Sequence, residues 1–321
     1  MKTKLLFFII AVVISGWIAH RCLSTSRNIN FLDWLQPNSR LAWPSSGQAA
    51  IGSLENGVLA SSSSIEKQRP TASMAKVITA LAIMKKQPFK PGQQGQTYII
   101  SDNDIITLNA NLSEGGSVLP LLRGMKITQY EAMQRMLIAS DNNIADMLVD
   151  RVFGSRARYV LYAEDMLKHM GLSRTQVADA SGFDAATIST PSELVAIGIA
   201  ALRNPVIAKI VAQKHAQMPV AGRITNTNQL LGTNGIIGIK TGTTFKAGSC
   251  LLFAAVFTDK DGRNGTIVGV IMGDYSHRSL YKNTRNLITS ARKLYGRTEG
   301  QSGYNGATHT QHEQSNLIAG Q

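Results

Sequence analysis

The chain has 321 residues, with 33 Lys+Arg against 20 Asp+Glu and a net charge of +13. Its 44% hydrophobic and 17% charged content is that of a globular protein and excludes a disordered one; Cys22 and Cys250, the only cysteines, exclude a disulfide-stapled scaffold. No His or Cys stands at metal-ligand spacing and no HExxH occurs, so no metal site and no cofactor are expected.

Lys2 and Lys4 precede an apolar run, Leu5 to Ala19, relieved only by Ser15 and Gly16. A basic start followed by such a run reads as an export signal. The run is short for a permanent span, which needs about 20 residues. Trp17, Ile18, His20 and Arg21 make a poor cleavage site, and His20-Arg21 before Cys22 argues against lipid attachment. Residues 1–27 are therefore expected to be a signal peptide or an uncleaved membrane anchor. The folded body, 28–295, is expected in the periplasm or on the outer face of the cytoplasmic membrane. The tail at 296–321 is polar, Gly-rich and non-periodic, and is expected to be disordered.

Ala49–Gly52 and Gly57–Ala60 flank an Asn-Gly turn and predict a hairpin. Pro70 predicts the start of a helix running to about Met84. A Gly/Gln/Pro linker and a mixed region to Leu122 follow. Helices are predicted at Thr128–Ile138 and Asn143–Phe153, broken at Ser140-Asp141-Asn142, then at Arg156–Met170 and Ser192–Leu202. Strands are predicted at Gly235–Lys240, Cys250–Thr258 and Gly265–Met272, and a last helix at Tyr281–Tyr295. Strands at both ends and helices between them imply an α+β fold, with a sheet built from both termini and a helical lobe inserted. The basic residues are scattered and lack an aromatic RNA-binding motif, so nucleic acid is not an expected partner. Proximity to anionic headgroups or wall polymers fits the charge better.

Chemistry concentrates in three short motifs. The helix after Pro70 is apolar almost all round except for Lys76, and lysine is rarely buried without a partner or a purpose. Ser73 stands three positions earlier, on the same helical face. A desolvated lysine has a lowered pKa and can accept the proton of a neighbouring hydroxyl. Ser-x-x-Lys by itself has little weight, since it also occurs at Ser64–Lys67, Ser279–Lys282 and Ser290–Lys293; only Ser73–Lys76 opens an apolar helix. Ser-Asp-Asn occurs twice. The triplet at 101–103 reads as a turn and N-cap, whereas the one at 140–142 separates two amphipathic helices and can aim a hydroxyl and a carboxamide into a cleft. Lys240-Thr241-Gly242 occurs once, at the end of a predicted strand. There a cation, a hydroxyl and a residue without a side chain would let a peptide lie alongside.

The three motifs in this order are the signature of penicillin-binding proteins and class A β-lactamases. Longer stretches narrow the match. Arg69–Thr79, Gly115-Gly116-Ser117, Leu137–Asn143, Asp179-Ala180-Ser181-Gly182-Phe183, Asn226–Leu231 and Gly238–Gly248 together resemble the low-molecular-mass D-alanyl-D-alanine carboxypeptidases of peptidase family S11. The resemblance spans roughly residues 48 to 293. It implies the serine β-lactamase/DD-peptidase-like fold, an antiparallel sheet flanked by helices. It also implies a serine enzyme that cleaves D-Ala-D-Ala from peptidoglycan stem peptides and is inhibited by β-lactams.

By that resemblance Ser73 is the acylated nucleophile, Lys76 its proton acceptor, and Ser140 the relay toward the leaving amine. Asn142 binds the acyl side, and Lys240 with Thr241 holds the terminal carboxylate. The amides of Ser73 and Thr243 form the oxyanion hole, and the charge of Lys240 helps keep Lys76 neutral. The sequence departs from the family at three places. Asn143 stands where Asp is usual. The arginine expected seven residues after Gly273 falls on Leu280, with Arg278 two positions earlier. The usual C-terminal β-rich domain and amphipathic anchor have no counterpart, so membrane attachment is expected through the N-terminal segment. Endopeptidase or transpeptidase action at the same site stays open. A β-lactamase is disfavoured because neither Glu164 nor Glu193 has the context of a deacylating glutamate, and the intact motifs argue against a catalytically dead wall-binding protein.

Overall fold

The computed structural model describes residues 40–258, 262 and 264–295. The segment read as signal or anchor (1–27), Cys22 and the polar tail (296–321) lie outside the described residues. In chain order the elements begin with β1 (Gln48–Ser53), β2 (Gly57–Ser61), β3 (Arg69–Pro70), a 3-10 turn (Ala72–Met74), α1 (Ala75–Lys86), β4 (Thr97–Ile99), α2 (Asp102–Ser113) and β5 (Lys126–Thr128). Then come α3 (Gln129–Ile138), α4 (Asn142–Phe153), α5 (Arg156–His169), β6 (Ile188–Ser189), α6 (Pro191–Arg203) and α7 (Pro205–Val211). The C-terminal part holds β7 (His215–Met218), β8 (Gly222–Thr225), β9 (Ile236–Thr244), β10 (Gly248–Thr258), β11 (Asn264–Asp274) and α8 (His277–Tyr295).

The sheet runs β2-β1-β11-β10-β9, each neighbour antiparallel, so the two ends of the folded chain meet at the β1–β11 pair. The predicted hairpin is there, its turn tied by the Asn56 amide donating to Ser53 Oγ at 2.9 Å. Both faces of the sheet are apolar and alternate with the pleat. Ala49 and Ile51 of β1, Leu251, Phe253 and Ala255 of β10, and Ile267 and Ile271 of β11 pack under Leu280, Leu287, Ile288 and Ala291 of α8. Ala50, Leu252, Ala254, Val268, Val270 and Met272 face the other way, into a core shared with α1, α4 and α6. The sheet is thus the middle layer, with one helix below and the inserted helical lobe above, as the order of predicted elements implied.

Local sequence accounts for most helix starts. The Thr128 hydroxyl accepts from the Glu131 amide while the Glu131 carboxylate accepts from the Thr128 amide, a reciprocal cap for α3. Ser101 and Asp104 make the same arrangement for α2, so the 101–103 triplet is indeed a cap. Pro191 and Pro205 occupy the first turns of α6 and α7.

Three predicted boundaries change, one of them the start of α8, which lies at His277 rather than Tyr281. Pro70 does not open a helix: it lies in β3, paired with Ile188 of β6, and α1 begins only at Ala75. Ala72 has φ +46°, left-handed for a residue with a Cβ, which breaks the chain direction between strand and helix. β9 does not stop at Lys240 but continues through Lys240-Thr241-Gly242 to Thr244, so the third motif lies inside the edge strand of the sheet. α2, α7 and the short β7–β8 hairpin have no counterpart among the predicted elements.

Candidate active site

Ser73 sits in the 3-10 turn and Lys76 in the first turn of α1, so the three-residue spacing still places both side chains on one side. Ser73 Oγ lies 2.9 Å from Lys76 Nζ. Lys76 is fully buried and also donates to Asn142 Oδ1 at 2.7 Å and to the Ser181 carbonyl at 3.0 Å. Those two acceptors use the two N–H bonds of an uncharged amine and leave its lone pair for the Ser73 hydroxyl proton. Burial pulls the Lys76 amine down from 10.5 to about 8, opposed in decreasing order by the carboxylates of Asp179, Asp141 and Asp146. Desolvation, expected from the apolar surroundings of Lys76, is therefore the leading cause of the lowering; the help expected from Lys240 is not among the causes. The charge of Lys76 acts instead on Lys240, which burial first and Lys76 second hold well below the usual lysine range.

Two glycines bring the other walls against this turn. Gly182 has φ +72°, and a Cβ there would fall 2.0 Å from the Ala72 carbonyl oxygen. A Cβ on Gly242 would stand 3.0 Å from Ala72 Cβ and 3.1 Å from the Ser73 amide nitrogen. The glycine of the third motif is thus what lets the edge strand lie against the serine turn. Beyond it, Lys240 is buried and donates to the Thr241 carbonyl at 3.1 Å, and the Thr241 hydroxyl meets that of Thr227 at 2.6 Å.

The second motif is held by a buried ion pair. Arg135, at the end of α3, places Nε 2.9 Å and Nη2 2.8 Å from Asp141 Oδ2, and its other donors reach the Leu119 and Pro120 carbonyls. Both side chains are fully buried, and burial pushes the Asp141 carboxyl up to about 6 while Arg135 draws it back. The guanidinium therefore locks α3, the turn at 140–142 and the loop carrying Ser117 into one unit. Ser140 between them has φ +65°, a conformation costing on the order of 1 kcal/mol for a residue with a side chain. Two left-handed residues, Ala72 and Ser140, thus flank the same cleft. Asn143, where the resemblance expects Asp, is buried with neither amide atom hydrogen-bonded.

These elements surround one pocket of about 350 Å³, lined by Ser73, Ser140, Thr241 and Thr243. Lys76, Asn142 and Lys240 stand buried behind its wall. All seven residues singled out from the sequence converge here. Ser117, Thr227 and Gln229 also line the pocket and fall in stretches that carried the family resemblance, whereas His277 and Tyr281, which line it from the start of α8, had no signal in the sequence. His277 Nε2 lies 3.4 Å from Thr243 Oγ1. The position of the missing arginine, Leu280, is fully buried under the sheet, and Arg278 is exposed away from the pocket lining. Asp179 shapes the loop behind Lys76: its carboxylate accepts from the Ser181 and Thr187 hydroxyls at 2.7 and 2.6 Å and from the Gly182 and Phe183 amides at 3.0 and 2.9 Å. That cage aims the Ser181 carbonyl at the amine.

A hydroxyl beside a desolvated amine, at the positive end of a helix and next to an edge strand, is chemistry for forming an acyl-enzyme on a peptide carbonyl. The chain is similar to the D-alanyl-D-alanine carboxypeptidase DacC of Escherichia coli K12, 27% identical over 243 residues, covering 72% of this chain and 57% of that protein. It is also similar to the D-alanyl-D-alanine endopeptidase of the same organism, 22% identical, covering 78% of this chain and 79% of that protein. The chain thus spans little more than half the length of the first of these relatives. The Streptomyces K15 DD-transpeptidase structure superposes with a TM-score of 0.67 at 21% identity over 78% of this chain and 99% of that one, which establishes the shared fold. The family model for D-alanyl-D-alanine carboxypeptidases, peptidase S11, matches residues 45–275, and the chain belongs to that family.

Proposed function

We propose that this protein is a serine DD-peptidase acting on the D-Ala-D-Ala end of peptidoglycan stem peptides. The observation that carries the reading is the contact of Ser73 Oγ and Lys76 Nζ at 2.9 Å, with the amine's two other directions already taken by acceptors. Ser73 attacks the penultimate carbonyl as its proton passes to Lys76. The developing oxyanion lies toward the amides of Ser73 and Thr243. The proton then travels by way of Ser140 to the leaving nitrogen, D-alanine departs, and water hydrolyses the ester. Asn142 supports the acyl side. Lys240, Thr241 and Thr243 support the carboxylate end, where His277 supplies the polar group that α8 presents in the absence of the family arginine. Release of a terminal D-alanine, cleavage of a cross-link and acyl transfer share this intermediate and differ only in the leaving group and acceptor.

A β-lactamase reading has less support. Glu164 accepts from the Val177 amide at 2.8 Å, and Glu193 is taken up by the Arg174 amide and the Thr175 hydroxyl at 2.9 and 2.6 Å. Neither lines the pocket. The same proposal includes export, with residues 1–27 as signal or anchor and the body outside the cytoplasmic membrane. Fluorescent penicillin is expected to leave a stable label that disappears in Ser73→Ala. Rapid loss of label would indicate a lactamase, and no label on the wild-type chain would overturn the reading. Purified protein given monomeric and cross-linked muropeptides then assigns the leaving group.

A further inference from the structure

α8 is a 19-residue helix whose sequence, HRSLYKNTRNLITSARKLY, contains no acidic residue. Its apolar face is accounted for: Leu280, Thr284, Leu287, Ile288 and Ala291 are buried against the sheet. Its opposite face is not. Arg278, Lys282, Arg285 and Lys293 are exposed, with exposed Thr289 among them. At about 100° per residue the four cations fall within about 80° of arc, and at 1.5 Å per residue they extend over roughly 22 Å. No carboxylate among the described residues lies within 4.0 Å of any of them.

Helix stability does not explain this stripe. Arg278 with Lys282 and Lys282 with Arg285 are like charges at neighbouring helical spacing, which costs about 0.2–0.5 kcal/mol per pair. Arg278 also stands in the first turn, at the positive end of the helix dipole. A solvated face ordinarily mixes both signs. The single sign points to an anionic partner, and the chain path says which. At the C-terminal end of the stripe the described chain begins: Arg40 lies with Lys293 around one surface groove, and the Ala42 amide donates to Ser290 Oγ at 2.9 Å. The chain entering there comes from the apolar run Leu5 to Ala19. Between Ala19 and Arg40 the backbone reaches at most on the order of 70 Å, at about 3.3 Å per residue.

We infer that the basic face of α8, with Arg40, docks on the anionic headgroups of a lipid bilayer. The inference rests on the proposed export and anchoring of the N-terminal segment. Docking lays α8 along the membrane surface, with Lys293 near the tether and His277, at the other end, at the mouth of the pocket. The apolar face stays in the core, so the contact is electrostatic and weakens with salt.

The test uses the full chain with Thr289→Cys in a Cys22→Ser background; Cys250 is buried. A fluorophore at position 289 reports quenching by nitroxide-headgroup lipid, and one at Leu161→Cys, 72% exposed on α5, is the control. Vesicles are phosphatidylcholine alone, or with about a third phosphatidylglycerol, as a stand-in for an anionic leaflet. Flotation with neutral vesicles reads the tether separately. The stripe predicts stronger quenching at 289 than at 161 only with anionic lipid, abolished by high salt. Lys282→Glu/Arg285→Glu/Lys293→Glu is expected to weaken partition onto the anionic vesicles by on the order of a hundredfold. If the chain does not float with neutral vesicles, the tether reading fails and the stripe still predicts salt-reversible flotation with anionic ones. Equal quenching at both positions, indifference to lipid charge, or no effect of the triple reversal would each overturn the inference.

Discussion

Asn142 Oδ1 stands 2.7 Å from Lys76 Nζ, so the second motif touches the first across 66 residues of chain. The carboxamide accepts a hydrogen bond without adding charge, and the amine stays easy to deprotonate. Asn142→Asp places a carboxylate there, which raises a neighbouring amine by about 1–3 pK units. The expected outcome is β-lactam acylation slowed by about tenfold or more at pH 7, recovering at alkaline pH. Acylation at the wild-type rate at pH 7 would remove Lys76 from the role of base.

The acylation rate of the wild type should depend on pH through the same amine. With Lys76 at about 8, the base is protonated and inactive below that value. The rate should fall about tenfold per pH unit below it and level off above. Asp146→Asn removes one of the carboxylates holding the amine up, and the inflection should move to lower pH. Stability carries the corresponding sign. The folded value lies below the ordinary 10.5, so the unfolded chain binds more protons between about 8 and 10.5. The Lys76 contribution to stability should rise with pH across that window. Stopped-flow acylation and thermal melts across the range check the two halves.

Arg135→Met leaves the Asp141 carboxylate buried without its cation. A loss of about 3–5 kcal/mol at pH 8 is expected. The loss should shrink at pH 5, below the value of about 6 that Asp141 has even with Arg135 drawing it down, because the carboxyl is then neutral with or without its cation. Arg135→Met/Asp141→Leu should recover most of the loss. Denaturant melts of the three proteins at both pH values measure it, and a pH-independent loss would mean that the packing of Arg135 matters more than its charge.

His277→Ala should raise KM for peptides ending in a free carboxylate by about tenfold, the worth of a hydrogen bond to a charged group. Arg278→Ala, at an exposed position outside the pocket lining, should change KM by less than about twofold. The reverse pattern would mean that Arg278 swings in when substrate binds.

The strands of the main sheet and most helices, though not α2, α7 or the β7–β8 hairpin, were readable in the chain, as were the apolar helix around Lys76 and the choice between two Ser-Asp-Asn triplets. Hydrophobic period and caps are local, and a lysine amid apolar residues is conspicuous in one dimension. What closes the site was not readable. The Ser181 carbonyl is a backbone atom placed by the cage around Asp179. His277 enters the pocket from a helix whose start was read four residues late. The boundary at Pro70 was misplaced because proline suits both a strand end and a helix start, and only pairing with Ile188 decides between them. Most of all, the lowered charge of Lys76 belongs to the tertiary structure. Water is excluded from the amine by the elements packed around it, and no property of residues 73 to 76 alone measures that desolvation.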